Sequence, residues 1–151
     1  MLRLSKLTDY ATVILSLMAQ DFLRIYTTAE ISTATGVPIP TVSKILKKLV
    51  NATMVISLRG SKGGYRLRLE ASQITVAAII GVLEGPIALT ECSVSQQGCV
   101  QASGCRIHAN WKIVNQSIYS TLASITLADM IQPTIQDIPV PLVRFSSNSQ
   151  H

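Results

Sequence analysis

At 151 residues the chain is long enough for one ordinary domain and a small appendage, and it can build a core without disulfide staples. Hydrophobic residues make up 48% and charged residues only 14%, so part of the apolar surface is expected to be buried against a partner chain. The net charge of +5 is uneven: residues 1–70 hold ten Lys/Arg against four Asp/Glu, and residues 71–151 hold three against four, which places a basic surface suited to nucleic acid in the first half.

No basic stretch followed by an apolar run and a cleavage site opens the chain, and its apolar runs are too short for a membrane span. A cytoplasmic protein without a membrane partner is expected. Thiols stay reduced in that compartment, and the three cysteines are odd in number, so they read as metal ligands or redox groups rather than as a disulfide framework.

Leu4, Leu7, Ala11, Ile14, Leu15 and Met18 recur at spacings of three and four, which predicts a first helix. Thr27 and Glu30 form a capping-box pattern for a short second helix that Gly36 would end. Pro40 suits the first turn of a third helix, whose buried stripe would be Val42, Ile45, Leu46, Leu49 and Val50. Strand-like runs at 54–58 and 65–69 flank the Gly-rich stretch 59–64, the mark of a hairpin. Residues 74–83 read as another helix, closed by Gly85 and Pro86. A Ser-, Gln- and Gly-rich loop follows. Ile107, Trp111, Val114, Ile118, Leu122 and Ile125 then predict one long amphipathic helix, and from Pro133 three prolines and a polar ending suggest a weakly ordered tail.

Two short helices, a basic helix and a Gly-rich hairpin, in that order, are the layout of a winged helix-turn-helix. The expected fold is mostly α with a small β wing: a winged helix-turn-helix domain over 1–85, a cysteine loop over 86–106, a long-helix region over 107–132 and the tail over 133–151. Lys44, Lys47 and Lys48 would neutralise phosphates, while Thr41 and Ser43, behind Pro40, would reach base edges of double-stranded operator DNA. Arg59, Ser61, Lys62, Gly63 and Tyr65 of the hairpin complete the expected DNA surface. A phosphate-cradling nucleotide loop at 60–64 is excluded, because the Gly-Lys-Ser/Thr ending is missing. An enzyme acting on a small-molecule substrate is not expected, since the chain has only His108 and His151, no motif of paired carboxylates and no nucleophile arrangement.

Cys92, Cys99 and Cys105 are separated by six and five residues, with His108 three beyond the last. Three thiolates and an imidazole could converge on one metal centre if the loop folds back. Zinc knuckles bring ligands in tighter pairs, whereas open spacing with Ser93, Ser95, Gly98, Ser103 and Gly104 between the thiols suits a larger inorganic core. Iron-sulfur, zinc and a simple thiol switch all stay open on chemistry alone.

The stretch LSKLTDY at 4–10, Gly36-Val37-Pro38, Ser43-Lys44-Ile45-Leu46, Arg59-Gly60 with Gly63-Gly64-Tyr65, Leu83-Glu84-Gly85 and the cysteine spacing together resemble the IscR-like regulators, the Rrf-two family, over about residues 1–132. TECS at 90–93, ANW at 109–111 and ITLADMIQP at 125–133 look most like the branch that regulates SUF-type iron-sulfur assembly genes. The resemblance implies a homodimeric, cluster-sensing transcription regulator, with 107–132 as its dimerisation helix region, and a [2Fe-2S] cluster ahead of a [4Fe-4S] one. It places Cys92, Cys99 and Cys105 on the family's cluster cysteines and His108 on the histidine some members use as fourth ligand. Other members take a carboxylate from the partner's first helix, where Asp9 stands here. Many relatives have Tyr-Leu where this chain has Thr41-Val42, so a known operator does not carry over. A winged-helix regulator that senses oxidant or metal without a cluster is the alternative.

Overall fold

The structure is a computed structural model that describes residues 3–89 and 108–132. The first helix, α1 (Lys6–Ala19), starts where the Ser5 hydroxyl accepts the Thr8 amide, and it buries Ala11, Ile14, Leu15 and Met18. In α2 (Thr28–Thr35) both halves of the Thr27–Glu30 capping box form, and Gly36 closes the helix in the left-handed region at φ 73°.

The α2–α3 turn is held by side chains. Ser32 donates to the Val37 carbonyl over 2.7 Å, Thr35 donates to the Ile31 carbonyl over 2.7 Å, and the Val37 amide donates to the Thr35 hydroxyl over 3.3 Å. These bonds fix the angle at which α3 (Ile39–Asn51) leaves α2. Pro40 sits in the first turn of α3, where a missing N–H leaves no helix bond unmade. Val42, Ile45, Leu46 and Leu49 are fully buried, and Val50 is half-buried at the edge of that stripe.

Helix α3 stops in a Schellman arrangement: the Met54 amide donates to the Leu49 carbonyl and the Thr53 amide to that of Val50, both over 3.0 Å. Thr53 takes the left-handed conformation that this motif requires, at φ 60°. The wing follows as β1 (Val55–Leu58) and β2 (Gly64–Leu67), antiparallel, with Val55 opposite Leu67 and Leu58 opposite Gly64. The strands are shorter than the expected 54–58 and 65–69, although the Arg68 amide still reaches the Met54 carbonyl over 2.9 Å. On the other edge of β2, Tyr65 exchanges both backbone hydrogen bonds with Tyr26, each 2.8 Å, and so sews the wing to the α1–α2 link.

A single 3-10 turn (Ala71–Gln73) leads into α4 (Val76–Glu84), which starts two residues later than expected because Thr75 is its cap and Ile74 stays extended. The next described helix is α5 (His108–Ser124). The sequence pattern ran the apolar repeat of this helix through Ile125, but the structure stops it at Ser124. Thr126 and Asp129 form a capping box that opens a separate short helix, α6 (Leu127–Ile131). The chain between them runs extended beside the start of α4: the Val76 amide donates to the Ile125 carbonyl over 2.9 Å and the Leu127 amide to the Ile74 carbonyl over 2.7 Å. Leu127 is fully buried in the same core as Ile14, Leu15, Ile45, Leu49 and Ile79.

Candidate nucleic-acid interface and cysteine segment

Opposite its buried stripe, α3 exposes Pro40, Ser43, Lys44, Lys47 and Asn51, with Thr41 half-buried beside them. Among the described residues the single ion pair joins Arg24 to Glu30 over 3.4 Å, so Lys44 and Lys47 have no carboxylate partner there. Two exposed cations of one sign on a helix packed into the core by its other face form a surface that a polyanion would neutralise.

The wing tip presents Arg59, Ser61 and Lys62, all exposed. Its shape depends on glycine. The Gly63 amide donates to the Gly60 carbonyl over 2.9 Å, Gly60 has φ 112°, and a Cβ on Gly63 would overlap the Leu58 carbonyl. At Gly64 a Cβ would meet the Tyr26 carbonyl at 2.6 Å, so the wing can lie this close to the α1–α2 link only with glycine there.

Two residues expected on the DNA surface also make contacts within the domain. Lys48 is half-buried, and its ammonium donates to the Leu83 carbonyl of α4 over 3.0 Å instead of standing beside Lys44 and Lys47. Tyr65 is half-buried against the core while its backbone pairs with Tyr26, so it anchors the wing. Arg66, not singled out from the sequence, is half-buried opposite Ile56, with an Nε that has no hydrogen-bond partner among the described residues.

The other candidate centre, Cys92, Cys99 and Cys105, lies outside the described residues, and among the described residues no three His, Cys, Asp or Glu side chains gather as a metal site. His108 is the first residue of α5. Asp9 is exposed in the first turn of α1, on a shallow groove shared with Ser5, Thr12 and Met130. By donor chemistry, three thiols with an imidazole or carboxylate in reserve fit an iron-sulfur centre.

The described chain leading to the cysteines is tightly held. Asn115 of α5 grips it with its side-chain amide, accepting from the Leu89 amide and donating to the Ile87 carbonyl, each over 3.1 Å. Just upstream, the Glu84 carboxylate accepts the Ser5 amide over 2.8 Å and the Thr8 hydroxyl, tying the end of α4 to α1. Those bonds, the Thr8 hydroxyl first and the Ser5 amide second, hold the Glu84 carboxyl below its ordinary range. Sequence reasoning found Glu84 only as part of a family motif and did not find Asn115, because neither carries a local signal.

A family model described as an iron-dependent transcriptional regulator, Rrf2, matches residues 4–133. The chain belongs to the Rrf2 family. It is 33% identical over 104 residues to the HTH-type transcriptional regulator IscR of Vibrio atlanticus, a match covering 69% of this chain and 60% of that protein. The chain thus spans about 60% of the length of the curated IscR relatives it matches. Among solved structures it is similar to T. potens IscR, at 30% identity and a TM-score of 0.64 over 86% of each chain. It is also similar to CymR, described as the global cysteine regulator of B. subtilis, at 28% identity and a TM-score of 0.65 over 87% of this chain and 97% of that one. The mostly helical fold with a small two-stranded wing is therefore the Rrf2 winged helix. Among the described residues no helix is long and apolar enough to cross a membrane.

Proposed function

We propose that this Rrf2 protein is a cytoplasmic, homodimeric transcription regulator that binds operator DNA through α3 and the wing and senses iron-sulfur supply through Cys92, Cys99 and Cys105. The observation that carries the reading is α3 itself: a core-packed helix with Lys44 and Lys47 exposed and unpaired among the described residues, followed by a wing whose tip presents Arg59 and Lys62. Lys44, Lys47, Arg59 and Lys62 neutralise backbone phosphates. Thr41 and Ser43 are short hydroxyl donors placed for base edges, and Pro40 sets the start of the helix without asking for a hydrogen bond. Exposed Trp111, Ile113, Val114 and Tyr119 on α5 supply apolar surface for a second copy.

Cys92, Cys99 and Cys105 would hold a [2Fe-2S] cluster, with His108 or Asp9 of the partner subunit as fourth ligand. When bound, the cluster supplies a rigid crosslink between the thiolates. SUF-type assembly genes are the proposed targets. The coupling between cluster and DNA is expected at about 1–3 kcal/mol, a range of roughly 5- to 150-fold in affinity. A cluster-free thiol sensor is the second reading, favoured by the similarity to a protein described as a cysteine regulator.

Absorption and iron and sulfide analysis of anaerobically prepared protein test the choice. Stoichiometric iron and sulfide, lost in Cys99→Ala, are expected; retention in His108→Ala would assign the fourth ligand to Asp9 or an exogenous group. Colourless, iron-free protein that still binds DNA would favour the cluster-free reading.

A further inference from the structure

We infer that Lys48 is a positioning residue that joins α3 to the chain leading into the cysteines, so that a change at that segment is transmitted to the DNA-reading helix. The inference rests on the regulatory reading above and assigns Lys48 a role other than phosphate contact.

Three hydrogen-bonded ties converge on residues 83–89. The Leu83 carbonyl lies in the last turn of α4, where no intrahelical amide remains to serve it, and the Lys48 ammonium fills that position over 3.0 Å. A cation there also faces the negative end of the α4 dipole. One residue on, Glu84 is held by Ser5 and Thr8 of the α1 start. Three and five residues further, Ile87 and Leu89 are held by the single carboxamide of Asn115. The stretch is thereby fixed to α3, α1 and α5 at once, and Leu89 is the last described residue before the cysteine segment.

Of these ties only Lys48 reaches α3, and it does so from within the helix whose neighbouring lysines face outward. A displacement of 83–89 must therefore drag the Lys48 side chain or break its bond. Lys44 and Lys47 are exposed and make no such bond among the described residues.

The full chain serves as test material, cluster-loaded under anaerobic conditions or stripped of iron with a chelator, with a duplex selected by the wild-type protein from a randomised pool. DNA affinity is measured across a salt series for wild type, Lys48→Met, Lys48→Arg and Asn115→Leu. Lys48→Met is expected to leave the salt slope of the iron-stripped protein unchanged while bringing the loaded-to-stripped affinity ratio to within about twofold of one. Lys48→Arg, which can still donate to Leu83, is expected to restore most of the ratio. Asn115→Leu breaks the same path at its far end, should lower the ratio likewise, and keeps the test open if Lys48→Met does not fold. A slope lowered by about 0.9 with an unchanged ratio would make Lys48 a phosphate contact and overturn the inference. An unchanged slope with an unchanged ratio would reduce it to a helix cap and overturn it equally. A wild-type ratio of one would instead overturn the regulatory reading on which the inference stands.

Discussion

The Leu127 amide donates to the Ile74 carbonyl over 2.7 Å, and both side chains are fully buried in one core. The segment after α5 therefore returns to the winged domain and completes it. Leu127→Ala is expected to destabilise the whole domain by about 2–5 kcal/mol, the cost of an unfilled buried leucine site. Urea unfolding followed by circular dichroism measures this. A loss below about 0.5 kcal/mol, the range of ordinary surface changes, would mean that α6 is not part of the cooperative unit.

Thr53 at φ 60° is a β-branched residue in the left-handed position of a Schellman motif. That conformation costs an L-residue about 1–2 kcal/mol, and glycine escapes the cost while losing roughly 0.5–1 kcal/mol more in chain entropy on folding. Thr53→Gly is expected to stabilise the fold by about 0.5–1 kcal/mol on balance. Thermal melts of the pair decide it, and a lower melting temperature for the glycine variant would contradict the assigned backbone.

Glu84, Glu30 and Asp129 are each held below their ordinary pKa by hydrogen bonds from cap or clamp residues: chiefly Thr8 for Glu84, Thr27 for Glu30 and Thr126 for Asp129. A depressed folded pKa means that the unfolded chain binds more protons in the acid range, so stability rises with pH there. The clamp contribution is complete above the ordinary glutamate value of 4.5 and is lost as pH falls through the lowered one. Melting temperatures measured from neutral pH into the acid range should fall less steeply for Glu84→Gln than for wild type. Parallel curves would mean that the Glu84 clamp does not contribute to stability.

Lys44→Gln and Lys47→Gln are each expected to lower the slope of log affinity against log salt by about 0.9, one phosphate contact apiece, with stability changed by less than about 0.5 kcal/mol. Fluorescence anisotropy with a labelled duplex reads the slope. Unchanged slopes in both variants would move the DNA surface away from α3.

Where local chemistry decides a conformation, the sequence was readable. The Thr27–Glu30 box, the Gly36 stop and the Pro40 start all appear where their spacing placed them. The break between α5 and α6 was equally local, since Thr126 and Asp129 repeat the spacing of Thr27 and Glu30, but the apolar repeat from Ile107 to Ile125 masked it. The bond from Lys48 to α4 was not legible for a different reason. On α3 it belongs to the polar side with Lys44 and Lys47, and only the position of α4, set by tertiary packing, supplies the carbonyl that draws it inward. Tyr65 likewise acquires its role from Tyr26, far away in sequence. For Cys92, Cys99 and Cys105, spacing and residue type identify candidate ligands without fixing their relative positions, because the sequence around them carries no apolar repeat to orient them.

The proposed coupling is between occupancy of the cysteine segment and affinity for DNA. Its most direct test is the dissociation constant of the anaerobically loaded protein and of the same protein stripped of iron, on the duplex the wild type selects, at one fixed salt concentration. A difference of about 5- to 150-fold between the two forms, abolished in Cys92→Ala, is the expected result. Equal affinity of the loaded and stripped forms for every selected duplex would contradict it.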